Sequence, residues 1–419
     1  MRTFKKQVQR WSVMTFLVLT GASVWAESQF IEKSYDVQPG GQLTLRSDRG
    51  DIDITTWNKN QVGIEITKES RRQDALEAFV ITLEHDGDDV HIAGEAPRNS
   101  RVDVHYRITV PTEYAVRLET GGGNISVASL QGAVFADTSG GSIHVGDIRE
   151  GSVDVNTSGG NIRIGDVQAD VKVDTSGGNI TVGDVGGDLS ADTSGGNIDI
   201  GVVLGKADIE TSGGRIRVSQ GGTETNVNTS GGGIDIGPAQ GDVRAETSGG
   251  NIKIDVAQGS VFADTSGGSV RVAGSGGNVE VESSGGNLFV GGSRGYVKAD
   301  TSGGNINIEN ARGFIEAETS GGRIEAEMIE ALADAHVKLS SSGGDLRLVI
   351  PAELAATIDA QIRITRSAVR DYRIYSDFPL TIKGENSDKV RGEGVVNGGG
   401  NRVTLTTTNG DIYIEMLAE

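Results

Sequence analysis

The residues best placed for chemistry are carboxylates that recur at a fixed spacing. Asp137, Asp174, Asp192, Glu210, Glu246, Asp264, Glu282, Asp300 and Glu318 form a column that Asn156 and Asn228 interrupt, its members 18 residues apart with one step of 19. Carboxylates stacked at the separation of neighbouring strands, about 4.8 Å, repel, and a divalent cation relieves that repulsion. Asp174, Asp192 and Glu210 are therefore the metal candidates. The competing reading is a solvated acidic ladder, spaced by Arg and Lys on adjacent columns. Calcium nonapeptide repeats also build 18-residue coils, but they carry Gly-Gly-x-Gly-x-Asp. Here an apolar strand begins directly after Gly-Gly-Asn, so no metal and no cofactor is expected, and folding should not need calcium.

A second candidate is aromatic. Tyr296 and Phe314 are 18 apart and share a column, so they should stack and offer a platform to a sugar or another partner. The plainer alternative is packing beneath a C-terminal loop. Catalysis has less to build on. The five histidines (His85, His91, His105, His144, His336) are scattered without metal-ligand spacing, and there is no Cys to act as nucleophile, ligand or disulfide. Gly-Gly-Asn lacks the Gly-Lys-Ser/Thr ending of a phosphate-binding loop. The coils have minimal corners and nothing to wall a cleft. The expectation is a non-enzyme.

The element that positions all these residues is a repeat. Thr-Ser-Gly-Gly recurs every 18 residues from Thr157 through Thr175, Thr193, Thr211, Thr229, Thr247, Thr265, Ser283 and Thr301 to Thr319. It extends upstream to Thr138 and Thr120, and downstream to Ser341 after a step of 22. Within a unit such as Thr175 to Asp192, the apolar residues Ile180, Val182, Val185, Leu189 and Ala191 fall in period-two pairs, the pattern of short strands with one buried face. Such a unit cannot bury its apolar face alone, whereas stacking on its neighbours makes a continuous core. The fold class is all-β: a parallel β-solenoid of 18-residue coils with β-rich caps. Helix pairs are excluded, because each unit is short and Gly-Gly would break them.

Parity extends the reading. The Thr column points inward as a hydroxyl ladder bonded to backbone or to the next Thr, and Thr193→Val is expected to be tolerated. The acidic column then points outward. Asn at the corners (Asn124, Asn161, Asn179, Asn197, Asn251, Asn287, Asn305) suits bonding along the stack and left-handed backbone. Gly-Gly supplies conformational freedom for a tight corner.

Residues 1–26 read as a signal peptide. Arg2, Lys5, Lys6 and Arg10 precede the apolar stretch Trp11 to Val24, and Val24-Trp25-Ala26 fits cleavage after Ala26. An uncleaved anchor is the alternative, although the stretch is short for a spanning helix. Removing this leader takes four positive charges from a chain of net charge −20, leaving −24. Such a charge repels nucleic acid and anionic membrane surfaces. No membrane span is expected in the mature chain, which would be periplasmic, cell-surface or secreted.

Residues 27–118 are expected to form an N-terminal β cap, 119–324 the regular solenoid and 325–419 the C-terminal β cap. Arg71 to Phe79 suggests one short helix in the first cap, and Asp86-Gly87 a turn. Ser47-Asp-Arg-Gly-Asp-Ile-Asp-Ile54 echoes the repeat corner, as a degenerate coil would. Glu327 to Ala335 holds good helix formers and reads as a bulge or a single helical turn.

Gln38-Pro-Gly-Gly-Gln-Leu-Thr-Leu45, Gly50-Asp-Ile-Asp-Ile54, the Thr-Ser-Gly-Gly-Asn-Ile coils, the Pro351 segment and Thr408-Asn-Gly-Asp-Ile412 together resemble the bacterial putative-adhesin family of unknown function. The resemblance implies an exported β-solenoid, and brings no catalytic or binding residues with it. The functional expectation is an exported, non-catalytic structural or adhesive module of the cell envelope or surface. Its partner would be an envelope or surface component, polysaccharide among them. A carbohydrate-binding or lyase-like carbohydrate-active β-helix is the alternative.

Overall fold

The computed structural model describes residues 27–97, 101–330, 335–365, 371–385 and 387–418. The chain divides into two units, Met1–Val182 and Gly183–Glu419. Each is a stack of parallel β coils. Residues 1–26, expected to be a signal peptide, lie outside the described residues.

Each coil contributes a strand to each of two sheets. In the N-terminal unit one sheet runs through Ala115–Thr120, Val134–Thr138, Val153–Thr157 and Val171–Thr175, all parallel and in register. The other runs through Ile125–Val127, Ile143–Val145, Ile162–Ile164 and Ile180–Val182. A third, narrow side is held by single bridges, Leu130 to Ile148 and Ile148 to Val167. Period-two patterning produces this directly: Val153 and Val155 are buried while Asp154 and Asn156 are exposed. The C-terminal unit repeats the plan from Leu189–Thr193 to Val337–Ser341 and from Ile198–Val202 to Leu346–Ile350.

The two units end their stacks in the same unusual way. In the N-terminal unit the coil containing Gln42–Ser47 and Asp51–Trp57 sits out of sequence order. It lies between the Ala115–Val127 coil on one side and Asp89–Glu95 with Asp103–Pro111 on the other. Ser47 aligns with Thr120, so the degenerate corner read from sequence is a true coil corner. Antiparallel strands then close both sheets: Val80–Asp86 on one, Gln61–Ser70 and Glu27–Asp36 on the other. In the C-terminal unit the last coil in sequence, Asn401–Thr408 with Ile412–Met416, stacks directly on Val337–Ile350. Ala356–Arg363 and Ile374–Ser376 follow it, and antiparallel Lys389–Val396 and Thr381–Lys383 close one sheet. Antiparallel closure covers backbone groups that an open parallel stack would leave unpaired.

The helix expected near Arg71 spans Gln73–Ala78. The nearly buried Lys68 donates from Nζ to the carbonyls of Leu76 (2.9 Å) and Phe79 (3.0 Å), and burial pushes its pKa down. Asp86-Gly87 turns one antiparallel strand into the next, with Gly87 at φ +63°. Of the segment expected to be a bulge or a single helical turn, Glu327 and Met328 end the strand Ile324–Met328, which pairs with Leu346–Ile350 and, across a register shift between Ile308 and Ala311, with Ile306–Ala311. Ile324, Ala326 and Met328 are buried in alternation, as a strand requires. Residues 331–334 lie outside the described residues.

Candidate functional site

The Thr-Ser-Gly-Gly corner is the best-defined polar arrangement in each unit. The Thr side chains are buried, as parity requires. Each hydroxyl donates to the carbonyl of the second glycine in the preceding coil: Thr175 to Gly160 (3.0 Å), Thr265 to Gly250 (2.8 Å), Thr319 to Gly304 (2.9 Å). It also accepts from the second glycine of its own coil, as Gly268 N–H does to Thr265 Oγ1 at 3.1 Å. In these bonds the partner is backbone rather than the next Thr. A methyl in place of the hydroxyl leaves a carbonyl and an amide unpaired, so Thr→Val is costly rather than tolerated.

The glycines serve close approach rather than left-handed conformation. A Cβ on Gly160, Gly250 or Gly304 would lie 2.0, 2.0 or 1.9 Å from the carbonyl oxygen of the glycine one coil earlier. The first glycine of each pair is far less confined: around Gly159 the nearest atom is 3.9 Å away, around Gly249 3.3 Å. Neither residue of the pair has φ in the left-handed range from Gly140 through Gly344, apart from the unrelated Gly151. The corner asparagines bond along the stack as expected, without the left-handed backbone. Each Oδ1 accepts the backbone N–H at the equivalent position of the next coil: Asn161 from Asn179 (2.8 Å), Asn197 from Arg215 (2.8 Å), Asn305 from Arg323 (3.0 Å). The corners are thus a set of internal bonds between coils.

The acidic column lies outward on the sheet that ends in Thr. In the C-terminal unit Asp192 aligns with Glu210, which aligns with Asn228. Asp174 belongs to the N-terminal unit and aligns with Asn156. Glu246, Asp264, Glu282, Asp300 and Glu318 make an unbroken row. Partial burial first, and the neighbouring Glu246 second, push the Asp264 carboxyl up; Glu282 is raised by burial and then by Asp264 and Asp300. No group of three or more potential metal ligands converges among the described residues.

Tyr296 and Phe314 stack as the 18-residue spacing implies, with centroids 4.6 Å apart and planes 9° apart. The stack continues to His336, 4.5 Å from Phe314. Sequence spacing hid His336, because the irregular 22-residue step shifts it from its column. Tyr296 and Phe314 are half-buried and His336 is exposed. Tyr296 Oη donates to Glu280 (3.0 Å), and beside the rings runs a row of ion pairs, Glu280 with Lys298 (3.3 Å) and Glu316 with Lys338 (2.6 Å).

Sequence reasoning missed two open hollows on the other sheet of the N-terminal unit. One, of about 510 Å³, lies among Glu32, Trp57, Gly63, Glu65, Arg107 and Thr109; the other, of about 410 Å³, among Asp53, Thr55, Arg107, Ser126, Ala128 and His144. A weak signal existed in the polar residues alternating along Asp103–Pro111 and Asp51–Trp57, but no periodicity indicated that these strands are neighbours.

Fold and corners together define a capped parallel β-solenoid whose coils are joined by threonine, asparagine and backbone bonds. The chain belongs to the Toastrack DUF4097 family, whose model matches residues 41–240 and again residues 234–415. Among solved structures it is similar to a putative adhesin from Bacteroides fragilis, at 15% identity over 58% of this chain and 95% of that one, with a TM-score of 0.27. It is also similar to a putative cell adhesion protein from Clostridium sporogenes (8% identity, 93% and 100% covered, TM-score 0.15). A third similarity is to a putative lipid binding protein from Parabacteroides distasonis (13% identity, 76% and 96% covered, TM-score 0.18). No curated protein matches the chain. At these scores the structural likenesses carry no functional inference.

Proposed function

We propose that the chain is an exported, non-catalytic β-solenoid that acts as a structural or adhesive module of the cell envelope or surface. The observation that carries this reading is the in-register stacking of near-identical coils. It sets outward side chains in register from coil to coil, in rows such as Glu246 to Glu318. Rows suit contact with an extended or repetitive partner. Catalysis instead needs a nucleophile, a base and an orienting group converging on one point. The reading needs no cofactor.

Export rests on the basic and apolar leader of residues 1–26. No helix among the described residues is long and apolar enough to cross a membrane. Net charge disfavours nucleic acid as a partner. On the C-terminal unit, the half-buried rings of Tyr296 and Phe314 are the aromatic contact offered to a partner.

The test has two parts. The mature mass recovered from an expressing bacterium should correspond to a chain beginning at Glu27. Purified mature protein should then co-sediment with isolated cell envelopes. Retention of the leader inside the cytoplasm would overturn export, and absence of co-sedimentation would overturn adhesion.

A further inference from the structure

We infer that the two hollows of the N-terminal unit are one elongated binding site for a neutral oligosaccharide, lying across the strands. This rests on the adhesive reading and gives it a ligand class. Arg107 lines both hollows, so they adjoin at its side chain. One wall is a row of polar side chains on successive strands: Glu32, Glu65, Arg107, Asp53, Ser126 and His144 align by register. The depth comes from the next outward row, where Ser34, Gly63, Thr109 and Thr55 align and Ala128 and Gly146 line the far end. Trp57 walls one end. Its ring leans over Gly63, where an added Cβ would meet the ring at 2.9 Å, and its Nε1 is held by the Gln61 carbonyl at 2.6 Å.

The chemistry of the walls selects the ligand. Arg107 reaches Glu65 only at 3.9 Å, which leaves guanidinium donors for hydroxyl oxygens. Asp53, held by His105 at 3.1 Å, and the carboxylates of Glu32 and Glu65 accept from hydroxyls. The hydroxyls of Thr55 and Thr109, 2.8 Å apart, can do both. The Lys59 ammonium stands 4.6 Å from the centroid of the half-buried Trp57 ring, so a sugar would stack its C–H face on the indole by displacing that lysine. A lipid tail would leave these charges desolvated without partners. A polyanion would face three carboxylates on one wall. Within the trough a peptide could not add as a strand, because Gln61–Ser70, Asp103–Pro111 and Asp51–Trp57 are each paired on both sides; strand addition is open only at the outer edge of Glu27–Asp36, beside the trough.

The test uses the mature chain and neutral hexasaccharides (cellohexaose, maltohexaose, chitohexaose), with isothermal titration calorimetry as readout. A heparin hexasaccharide and phosphatidylethanolamine/phosphatidylglycerol vesicles serve as the polyanion and lipid arms. At least one neutral hexasaccharide should bind. Arg107→Ala and the trough-filling Thr55→Tyr should each weaken it tenfold or more. Arg217→Ala, on the corresponding sheet of the C-terminal unit, should bind as wild type. Circular dichroism and melting confirm that each variant is folded. If Thr55→Tyr fails to fold, Ala128→Arg fills the far hollow instead. Binding of no neutral hexasaccharide, equal binding by the folded trough variants, or preference for heparin or vesicles would overturn the inference. Envelope co-sedimentation separates the two claims: trough variants that still co-sediment like wild type sink the site and leave adhesion standing, whereas a wild type that does not co-sediment sinks adhesion itself.

Discussion

The two units share an interior and differ outside. Both bury the same Thr, Ile and Val columns and both stitch their coils through glycine carbonyls. On the outward face of the corresponding sheet, the C-terminal unit fills its surface with mutually satisfied side chains. Arg215, Arg217 and Lys253 surround Asp235 at 3.2, 4.0 and 3.5 Å, the Arg271 guanidinium lies 3.9 Å from the Phe289 ring, and Arg347 pairs with Glu415 at 2.7 Å. A hollow on this sheet, between Asn307 and Arg347, measures about 220 Å³. In the N-terminal unit the short residues Ser34, Gly63, Thr109 and Thr55 lie among longer ones such as Glu65, Arg107 and Trp57, beside hollows of about 510 and 410 Å³. A solenoid's stability comes from its interior and its neighbour contacts, so the outward rows are free to vary. Shared interior positions should therefore respond alike in both units, while outward positions should respond by unit.

The largest effect should come from breaking the period. Deleting Thr229 to Glu246 removes one full coil and lets the register Thr211–Thr229–Thr247 close up. The product should express as a soluble β protein. Deleting only Thr229 to Gly241 leaves five residues that cannot span a coil, and should give a protease-sensitive chain. Limited proteolysis and circular dichroism separate the two; equal damage would mean the coils are not interchangeable.

Next come the glycines. Gly160→Ala and Gly250→Ala push a Cβ to 2.0 Å from a carbonyl oxygen in the N- and C-terminal units respectively. Each should cost about 3 kcal/mol. Gly159→Ala should be close to neutral, and Gly249→Ala milder than its neighbour. A chemical-denaturation series measures all four, and a neutral Gly250→Ala would refute the close-approach explanation.

Thr175→Val and Thr265→Val should each cost about 1–3 kcal/mol by stranding a buried carbonyl. Similar losses in both units would support a common interior. A loss confined to one unit would show that the corners are not equivalent.

The smallest effect belongs to the outward acidic row. The folded Glu282 carboxyl has a raised pKa, so its contribution is present below the unfolded pKa and is lost as pH rises through the folded one. Glu282→Gln should thus raise the melting temperature at neutral pH by about 1–2 °C. The gain should shrink near pH 4, as wild-type Glu282 protonates, and in high salt. A gain independent of pH would rule out charge repulsion as the cause.

Local periodicity made much of this protein legible. Strand parity placed Thr157 inside and Asn156 outside, and an 18-residue spacing placed Tyr296 on Phe314. Those relations hold because each coil pairs with the next, and sequence distance then maps directly onto position. Three features required the tertiary structure. The Gly-Gly pair could be counted, but only the stacked backbones reveal a carbonyl against the second glycine. His336 joins the ring stack across a 22-residue step that no period anticipates. At both ends, the coil at 42–57 and the coil at 401–416 insert out of order. The trough follows from the first of these insertions: Glu65, Arg107, Asp53 and Ser126 become neighbours through pairing of strands distant in the chain. Pairing between distant strands depends on which edges remain open once the array has formed. A repeat pattern specifies the array, and carries no information about how its ends are closed.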